Sequence, residues 1–229
     1  MKINGITDVF FDLDHTLWDF DKNSALTFEK IFKMHNIEID INIFLLHYRD
    51  INFQYWKLYR DAKIDKEVLR LGRLKDTFAV CNFPVEADMI SILSTEYITY
   101  LTDNNYLFAN TIEILEYLSP KYSLHIISNG FEEVQSKKLV KSNILKYFKT
   151  VTNGEDIGIK KPHPQIFHLA LEKAQTTVNK SIMIGDGYEA DIVGAQNVGM
   201  EVIYFDTNNM PVETNVNQIS ELIEIKKYL

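Results

Sequence analysis

The strongest constraint on the fold is a set of four short, largely apolar runs, each ending at small or acidic polar residues. The runs cover residues 9–11, 124–127, 182–184 and 202–205. Runs without polar alternation are typical of strands buried on both faces of a parallel sheet. Helical patterns follow at 111–118, 131–143, 164–174, 190–198 and 219–228. This alternation predicts βαβ units, and hence an α/β fold with a Rossmann-like parallel sheet.

The stretch between the first two runs has a different pattern. Residues 24–106 contain no convincing strand, but helical spacing begins near Leu26 and recurs at 43–59, 66–80 and 86–101. Four such helices predict a small bundle inserted into the sheet domain. We therefore expect a core domain of residues 1–17 plus 106–229 and a helical cap of residues 18–105. The length of 229 residues fits this division, at about 150 residues per domain.

Composition excludes several classes of protein. The 24 Lys and Arg against 32 Asp and Glu leave a net charge of −8, which argues against a nucleic-acid polymer as partner. A small anionic substrate remains compatible if a cation reverses the field locally. The one cysteine, Cys81, excludes an intrachain disulfide and a cysteine-rich zinc site. With neither an export signal nor a membrane-spanning run, we expect a cytoplasmic protein with no membrane partner; the oligomeric state stays open.

Two aspartates follow the first apolar run directly. Asp12 and Asp14 are two residues apart, so they can approach one another at the strand end. Close carboxylates repel unless a cation or a shared proton intervenes. The alternative is that one caps a loop while the other faces water. A calcium loop is excluded, because its required glycine and glutamate positions hold Leu17 and Asn23.

Three more polar clusters lie later in the chain. Ser128-Asn129-Gly130 is suited to an anion cradle or a plain helix cap. Lys161, fixed next to Pro162, is either a phosphate-binding charge or a surface lysine. Asp186 and Asp191 are either cation ligands or an acidic helix start. All four clusters lie at predicted carboxyl ends of strands, where open α/β sheets bind ligands. Together they indicate magnesium-assisted phosphoryl transfer through an aspartate.

On these residues, in this order, the chain resembles the haloacid dehalogenase superfamily, in the branch with a helical cap after the first motif. Asp12 to Thr16 match the first motif, Ser128 the second, Lys161 the third, and Asp186 with Asp191 the fourth. A narrower resemblance is to its 5'-nucleotidases for pyrimidine and noncanonical nucleotides. It rests on residues 129–131 and on the cap stretch around Trp56, Tyr59, Ile64, Leu69 and Arg73.

The resemblance implies a role for each acid. Asp12 would attack phosphorus and form an aspartyl phosphate, while Asp14 would serve as general acid and then as general base. Mg²⁺ would bind Asp12, Asp186 and the backbone carbonyl of Asp14. Asp191 would act through water or by orienting its neighbours. Because a leaving halide needs no proton, the acid at Asp14 indicates phosphate-ester chemistry and not dehalogenation.

The resemblance also implies a phosphate cradle. Ser128, the amide of Asn129 and the catalytic Lys161 would hold the phosphate oxygens. Thr16 would brace the nucleophile loop and also contact the phosphate. The substrate would be a small phosphorylated metabolite, with a nucleoside 5'-monophosphate as the main prediction. A sugar-phosphate phosphatase or phosphomutase is the alternative. A receiver-type signalling switch fits poorly, because Lys161 precedes the strand of Asp186.

Substrate choice is expected to lie with the cap. Aromatic and basic residues there are suited to stack on a base or bind a polar edge, although aromatic residues at helical spacing are more often core. The candidates are Trp18, Phe20, Trp56, Tyr59, Arg60 and Arg73.

Overall fold

The first apolar run forms the central strand of a sheet in the computed structural model, which describes residues 2–206 and 216–229. Strand β1 (Asp8–Phe11) is buried at all four residues. It pairs in parallel with β2 (Ser123–Ser128) on one side and with β4 (Ser181–Gly185) on the other. A strand with neighbours on both edges and helices on both faces needs apolar residues throughout, which explains the unbroken run.

The sheet has six parallel strands, and the predicted α/β fold with a parallel sheet is confirmed. The outer strands are β3 (Phe148–Asn153), β5 (Glu201–Phe205) and β6 (Asn217–Ile219). Their order, β3-β2-β1-β4-β5-β6, changes direction beside β1. In such sheets the ligand crevice lies at the carboxyl ends of the strands, next to this reversal. The sheet topology thus brings the ends of β1, β2 and β4 side by side.

The chain divides into two compact units, Met1–Phe20 with Asn105–Leu229 and Asp21–Asn104. Residues 18–20 and 105, which we assigned to the cap, fall in the first unit. The insert carries four helices, α1 (Phe20–Met34), α2 (Ile41–Arg60), α3 (Lys66–Val80) and α4 (Ala87–Tyr100). Within the described ranges, no helix combines the length and the apolar character needed to cross a bilayer.

Aromatic rings form the core of the second unit. Phe28 of α1 packs against Phe44 at 4.9 Å and against Tyr97 at 4.6 Å between ring centroids. Phe78 of α3 closes the cluster on Phe44 at 5.0 Å. The rings come from all four helices, so burial of this cluster ties the bundle together.

The helices of the sheet unit are α5 (Thr111–Leu118), α6 (Glu132–Lys141), α7 (Pro164–Ala174) and α8 (Gly194–Asn197). The predicted helix at 190–198 was wrong in part, because a π-helical turn at Tyr188–Val193 precedes the short α8. The predicted helix at 219–228 is instead the end of β6 and a 3₁₀ segment at Leu222–Lys227.

One face of the sheet packs on α7 and on the turn before α8. Phe10, Ile127 and Met183 are fully buried side chains from three adjacent strands, and they meet Phe167 of α7 and Ile192 in a single apolar cluster. Burying such side chains contributes about 1.5–3 kcal/mol each. The cluster therefore fixes the strand ends from below.

A buried polar pair lies at the opposite end of β1. His125 Nε2 contacts Asp8 Oδ1 at 3.1 Å, and His125 Nδ1 lies 2.8 Å from the hydroxyl of Thr150. Burial raises the pKa of Asp8, but hydrogen bonds from Thr7, Thr176 and His125 outweigh it and leave that pKa below its usual range. Burial lowers the pKa of His125, and Asp8 opposes this only in part. The pair is thus a neutral imidazole beside a carboxylate.

Candidate active site

Asp12 lies where the central strand ends. Its backbone N–H donates to the carbonyl of Ile184 at 2.9 Å, so pairing with β4 extends to this residue. The residue is only 8% exposed, and Lys161 Nζ donates to its Oδ1 at 2.5 Å. The predicted nucleophile is therefore a nearly buried carboxylate with an ammonium group in direct contact.

Lys161 connects the ends of β1 and β2 with the turn after β4. Its Nζ contacts Asp12, lies 2.7 Å from Asp191 Oδ1, and donates to the carbonyl of Ile127 at 2.6 Å. The backbone is fixed by Asn129, whose amide side chain accepts from Lys161 N at 2.8 Å and donates to Lys161 O at 2.9 Å. Burial lowers the pKa of Lys161, but the two carboxylates outweigh this and hold it above its usual range. The lysine stays charged, with hydrogen bonds to Asp12 and Ile127 and an ion pair with Asp191.

The fourth motif places two acids beside this pair. The hydroxyl of Thr16 donates to Asp186 Oδ1 at 3.0 Å and accepts from the Asp186 N–H at 3.1 Å. Asp191 Oδ2 accepts from the N–H of Gly187 at 2.9 Å. Gly185 is required at the strand end, because a Cβ there would overlap the Asp191 carboxylate. Thr16, predicted to brace the nucleophile loop and contact phosphate, thus also orients Asp186.

Three carboxylates converge at this point. One oxygen each from Asp12, Asp186 and Asp191 lies within 4.8 Å of the other two. Burial raises the pKa of Asp12 well above its usual range; Lys161 opposes the rise, and the other two acids reinforce it. Burial and then the charge of Asp191 raise the pKa of Asp186 to about 8. The single ammonium of Lys161 does not balance the negative charge of three carboxylates. Their oxygen atoms are suitable ligands for a divalent cation such as Mg²⁺.

The second motif forms a donor site next to Asp12. Ser128 Oγ accepts from the N–H of Gly130 at 3.1 Å and from Gln135 Nε2 at 2.6 Å. With both lone pairs engaged, the remaining capacity of the hydroxyl is its own O–H, a donor. Asn153, at the end of β3, holds the loop by donating to the carbonyl of Gly130 at 2.7 Å. Phosphate oxygens accept only, so Ser128 is suited to bind them.

The sequence profile of the haloacid dehalogenase-like hydrolases matches residues 9–205, which is most of the chain. The chain belongs to this family. The dehalogenase-like fold is also that of the HAD-hydrolase YfnB from Bacillus subtilis, whose crystal structure, described as bound to magnesium, superposes with a TM-score of 0.87 at 24% identity and covers 97% of both chains. In sequence YfnB is 27% identical over 96% of this chain and 91% of its own length.

Two further relatives have names that state a substrate. Pyrimidine 5'-nucleotidase PynA of Streptococcus pneumoniae is 28% identical and covers 96% of this chain and 92% of its own. A glyceraldehyde 3-phosphate phosphatase of Methanothermobacter thermautotrophicus is 28% identical and covers 95% and 98%. The similarity to both relatives extends over the cap as well as the sheet domain.

In this dehalogenase-like hydrolase the second acid of the first motif, Asp14, lies apart from the carboxylate cluster. Within the described ranges, Asp14 does not join the group of three carboxylates. Its Oδ1 accepts from Lys138 Nζ at 2.5 Å, and its Oδ2 accepts from Gln135 Nε2 at 2.9 Å. Neither α6 residue was predicted from the sequence as a site residue. The i, i+4 spacing of buried Val134 and Lys138 is the signal that places Lys138 on the inner face.

Trp18 and Phe20 belong to the sheet unit, next to this acid. Trp18 is fully buried and Phe20 is 8% exposed. Lys138 Nζ lies 4.4 Å from the Trp18 ring and 5.3 Å from the Phe20 ring. Both rings thus pack against Lys138, the partner of Asp14, which supports a structural role for them.

The other cap candidates lie in the second unit. The rings of Trp56 and Tyr59 are 5.7 Å apart, and Arg60 contacts the neighbouring Asp61. Arg73 is 2% exposed and donates to Asn52 Oδ1 at 2.8 Å. Arg73 is therefore part of the bundle interior, while Trp56 and Arg60 are partly exposed.

Proposed function

We propose that the protein is a Mg²⁺-dependent phosphatase that hydrolyses small phosphate monoesters through an aspartyl phosphate. The observation that carries this is the separation of two acids in one loop. Asp12 faces Lys161 and two further carboxylates, while Asp14 is held apart by α6. This separation supports Asp12 as the nucleophile and Asp14 as the group that transfers a proton, which a phosphate ester needs and a halide does not.

The first half-reaction forms the phosphoenzyme. An oxygen of Asp12 attacks phosphorus, and the bond from phosphorus to the ester oxygen breaks. Asp14 gives its proton to that departing oxygen, so the alcohol leaves neutral. Ser128 and Lys161 donate to the oxygens of the transferring phosphoryl group.

The second half-reaction releases phosphate. Asp14, now a carboxylate, takes a proton from water, whose oxygen attacks phosphorus. The bond from phosphorus to Asp12 breaks, and both acids return to their starting forms. Mg²⁺, bound by Asp12, Asp186 and the backbone carbonyl of Asp14 with Asp191 in support, would neutralise charge on the phosphate oxygens. This ion assignment is supported by the carboxylate cluster and by the magnesium described for the YfnB structure.

For substrate, we propose nucleoside 5'-monophosphates. The name of PynA supports this class, and the name of the Methanothermobacter thermautotrophicus glyceraldehyde 3-phosphate phosphatase supports sugar phosphates as the second candidate. The net charge of −8 disfavours a nucleic-acid polymer.

A phosphate-release screen tests the proposal. Purified protein with MgCl₂ is incubated with nucleotides, sugar phosphates and p-nitrophenyl phosphate. We expect turnover that EDTA abolishes, with the highest kcat/KM on nucleoside 5'-monophosphates. Higher values on sugar phosphates would reject the nucleotidase assignment alone, and single phosphate labelling without turnover would reject the phosphatase.

The matched variant is Asp12→Asn, which removes the nucleophilic oxygen with little change in shape. We expect turnover to fall below detection while the circular dichroism spectrum is retained. Retained turnover in this variant would refute the aspartyl-phosphate mechanism.

A further inference from the structure

Helix α6 presents two buried polar side chains to Asp14. Gln135 is 1% exposed and Lys138 is 2% exposed, although both residue types are usually found at the surface. They are three residues apart, so they lie on the same helix face. A buried amide and a buried ammonium each cost free energy unless they are partnered. Both find their partner in the same carboxylate, more than a hundred residues away in the chain.

The two contacts divide the oxygens of Asp14 between them. Lys138 Nζ holds Oδ1 at 2.5 Å, and Gln135 Nε2 holds Oδ2 at 2.9 Å. Turning the carboxylate about its Cβ–Cγ bond would lengthen both bonds together. The plane of the acid is therefore set by a helix of the sheet unit, and not by its own loop.

Other groups fix the two α6 side chains in turn. The ammonium of Lys138 lies over the rings of Trp18 and Phe20, a cation–π arrangement that limits its movement. Gln135 packs against Gly130, where a Cβ would collide with its amide. The glycine after the second motif therefore makes room for Gln135.

Gln135 also connects the acid to the phosphate site. The same Nε2 that contacts Asp14 donates to Ser128 Oγ at 2.6 Å. Since that hydroxyl is the proposed phosphate donor, its orientation and that of Asp14 depend on a single amide. The geometry links the group that transfers the proton with the group that holds the phosphoryl oxygen.

We propose that Gln135 and Lys138 are positioning residues that hold the Asp14 carboxylate in line for proton transfer to the leaving oxygen. This rests on the proposed phosphatase function. The consequence is a dependence on the leaving group. An alkoxide must be protonated as it leaves, whereas p-nitrophenolate is stable as an anion, so only alkyl esters need a well-placed Asp14.

The test compares Lys138→Met and Gln135→Leu, which keep side-chain volume, with the wild type under saturating MgCl₂. The substrates are p-nitrophenyl phosphate and the alkyl ester that the wild type hydrolyses fastest. In both variants we expect kcat/KM on the alkyl ester to fall about 10- to 100-fold. On p-nitrophenyl phosphate, kcat/KM of Lys138→Met should stay near wild type. Gln135→Leu also loses its bond to Ser128, so its kcat/KM on p-nitrophenyl phosphate should fall as well, but by a smaller factor than on the alkyl ester. Since kcat/KM reports only the steps through phosphoenzyme formation, the later hydrolysis does not enter.

Lys137→Met is the matched control, because Lys137 is the exposed neighbour on the same helix. We expect it to match wild type on both esters. A double-mutant cycle adds a second readout: in an Asp14→Asn background, Lys138→Met should cause no further loss on the alkyl ester.

Equal losses on the two esters would overturn the proposal, because they would indicate a structural or phosphate-binding role. Additive losses in the cycle would do the same. If Lys138→Met does not fold, Gln135→Leu alone decides. A wild type that releases phosphate from neither ester would reject the proposed function itself, which is a separate outcome.

Discussion

Replacing Lys161 with methionine removes the cation on which the carboxylate cluster depends. Lys161 Nζ contacts Asp12 at 2.5 Å and Asp191 at 2.7 Å, and its side chain is 2% exposed. Methionine matches the length of the stem but leaves two buried carboxylates without their partner. Breaking a buried pair in this way costs about 3–5 kcal/mol. For a chain of 229 residues this corresponds to a fall in Tm of about 6–20 °C.

A divalent cation should reverse part of this loss. Three carboxylates within 4.8 Å of one another then have no ammonium among them, so they bind a cation more tightly than in wild type. A ligand present at 100 times its Kd stabilises the folded state by about 2.7 kcal/mol. We therefore expect MgCl₂ to raise the Tm of Lys161→Met by more degrees than the Tm of wild type.

The assay is differential scanning calorimetry of wild type and Lys161→Met, in EDTA and across a MgCl₂ titration. Lys160→Met is the control, because the preceding lysine is partly exposed. It should lie close to wild type in both conditions. If Lys161→Met melts within about 2 °C of wild type in EDTA, the charge of Lys161 does not hold the cluster together and the reasoning fails. An equal magnesium response in both proteins would refute the second step.

Two further substitutions test the framework of the site. Gly185→Ala places a Cβ against the Asp191 carboxylate, so we expect a loss of about 1–3 kcal/mol in urea unfolding together with weaker Mg²⁺ binding by calorimetry; unchanged Mg²⁺ affinity would contradict the close approach. His125→Gln tests the buried pair with Asp8. The folded-state pKa of His125 lies below its unfolded value, so its neutral form stabilises wild type above about pH 6.5 and this contribution is lost as pH falls. The difference in unfolding free energy between wild type and His125→Gln should therefore shrink on acidification, by at most about 1.4 kcal/mol per pH unit; a pH-independent difference would contradict it.

The predicted strands were those that the sheet buries on both faces. β1, β2, β4 and β5 each carry a run of apolar residues, since each has neighbours on two sides. β3 and β6 lie at the edges of the sheet and lack such a run, so they were not predicted. Their sequences, Phe-Lys-Thr-Val-Thr-Asn and Asn-Gln-Ile, keep polar side chains where one edge faces no other strand. A run of apolar residues therefore indicates that a segment is buried, and it predicts a strand only where the strand is buried.

The turn after β4 is a second place where the sequence pattern did not predict the local structure. Small residues at 190–198 predict an α-helix, yet the chain forms a π-helical turn at Tyr188–Val193. There the N–H of Asp191 bonds to the carbonyl of Gly187 at 2.6 Å, while its carboxylate accepts from the Gly187 N–H at 2.9 Å. The wider turn brings Asp191 to Lys161. Local propensity cannot anticipate a helix geometry that a distant lysine stabilises.

Site residues at strand ends could be predicted from the sequence, whereas those on a helix face could not. Asp12 and Asp186 directly follow strands and Ser128 ends one, so topology alone brings these three to one edge of the sheet. Lys161 lies in the connection between β3 and α7, where the adjacent Pro162 marked it in the sequence. Lys138 lies in the middle of a helix among Glu, Ser and Lys neighbours that read as solvent-exposed. Its burial makes sense only with the Asp14 carboxylate at 2.5 Å, which the fold supplies from the far end of the chain. A charged residue on the buried face of a helix next to the strand ends therefore indicates that an oppositely charged partner lies at those strand ends. For Lys138 of α6 that partner is Asp14.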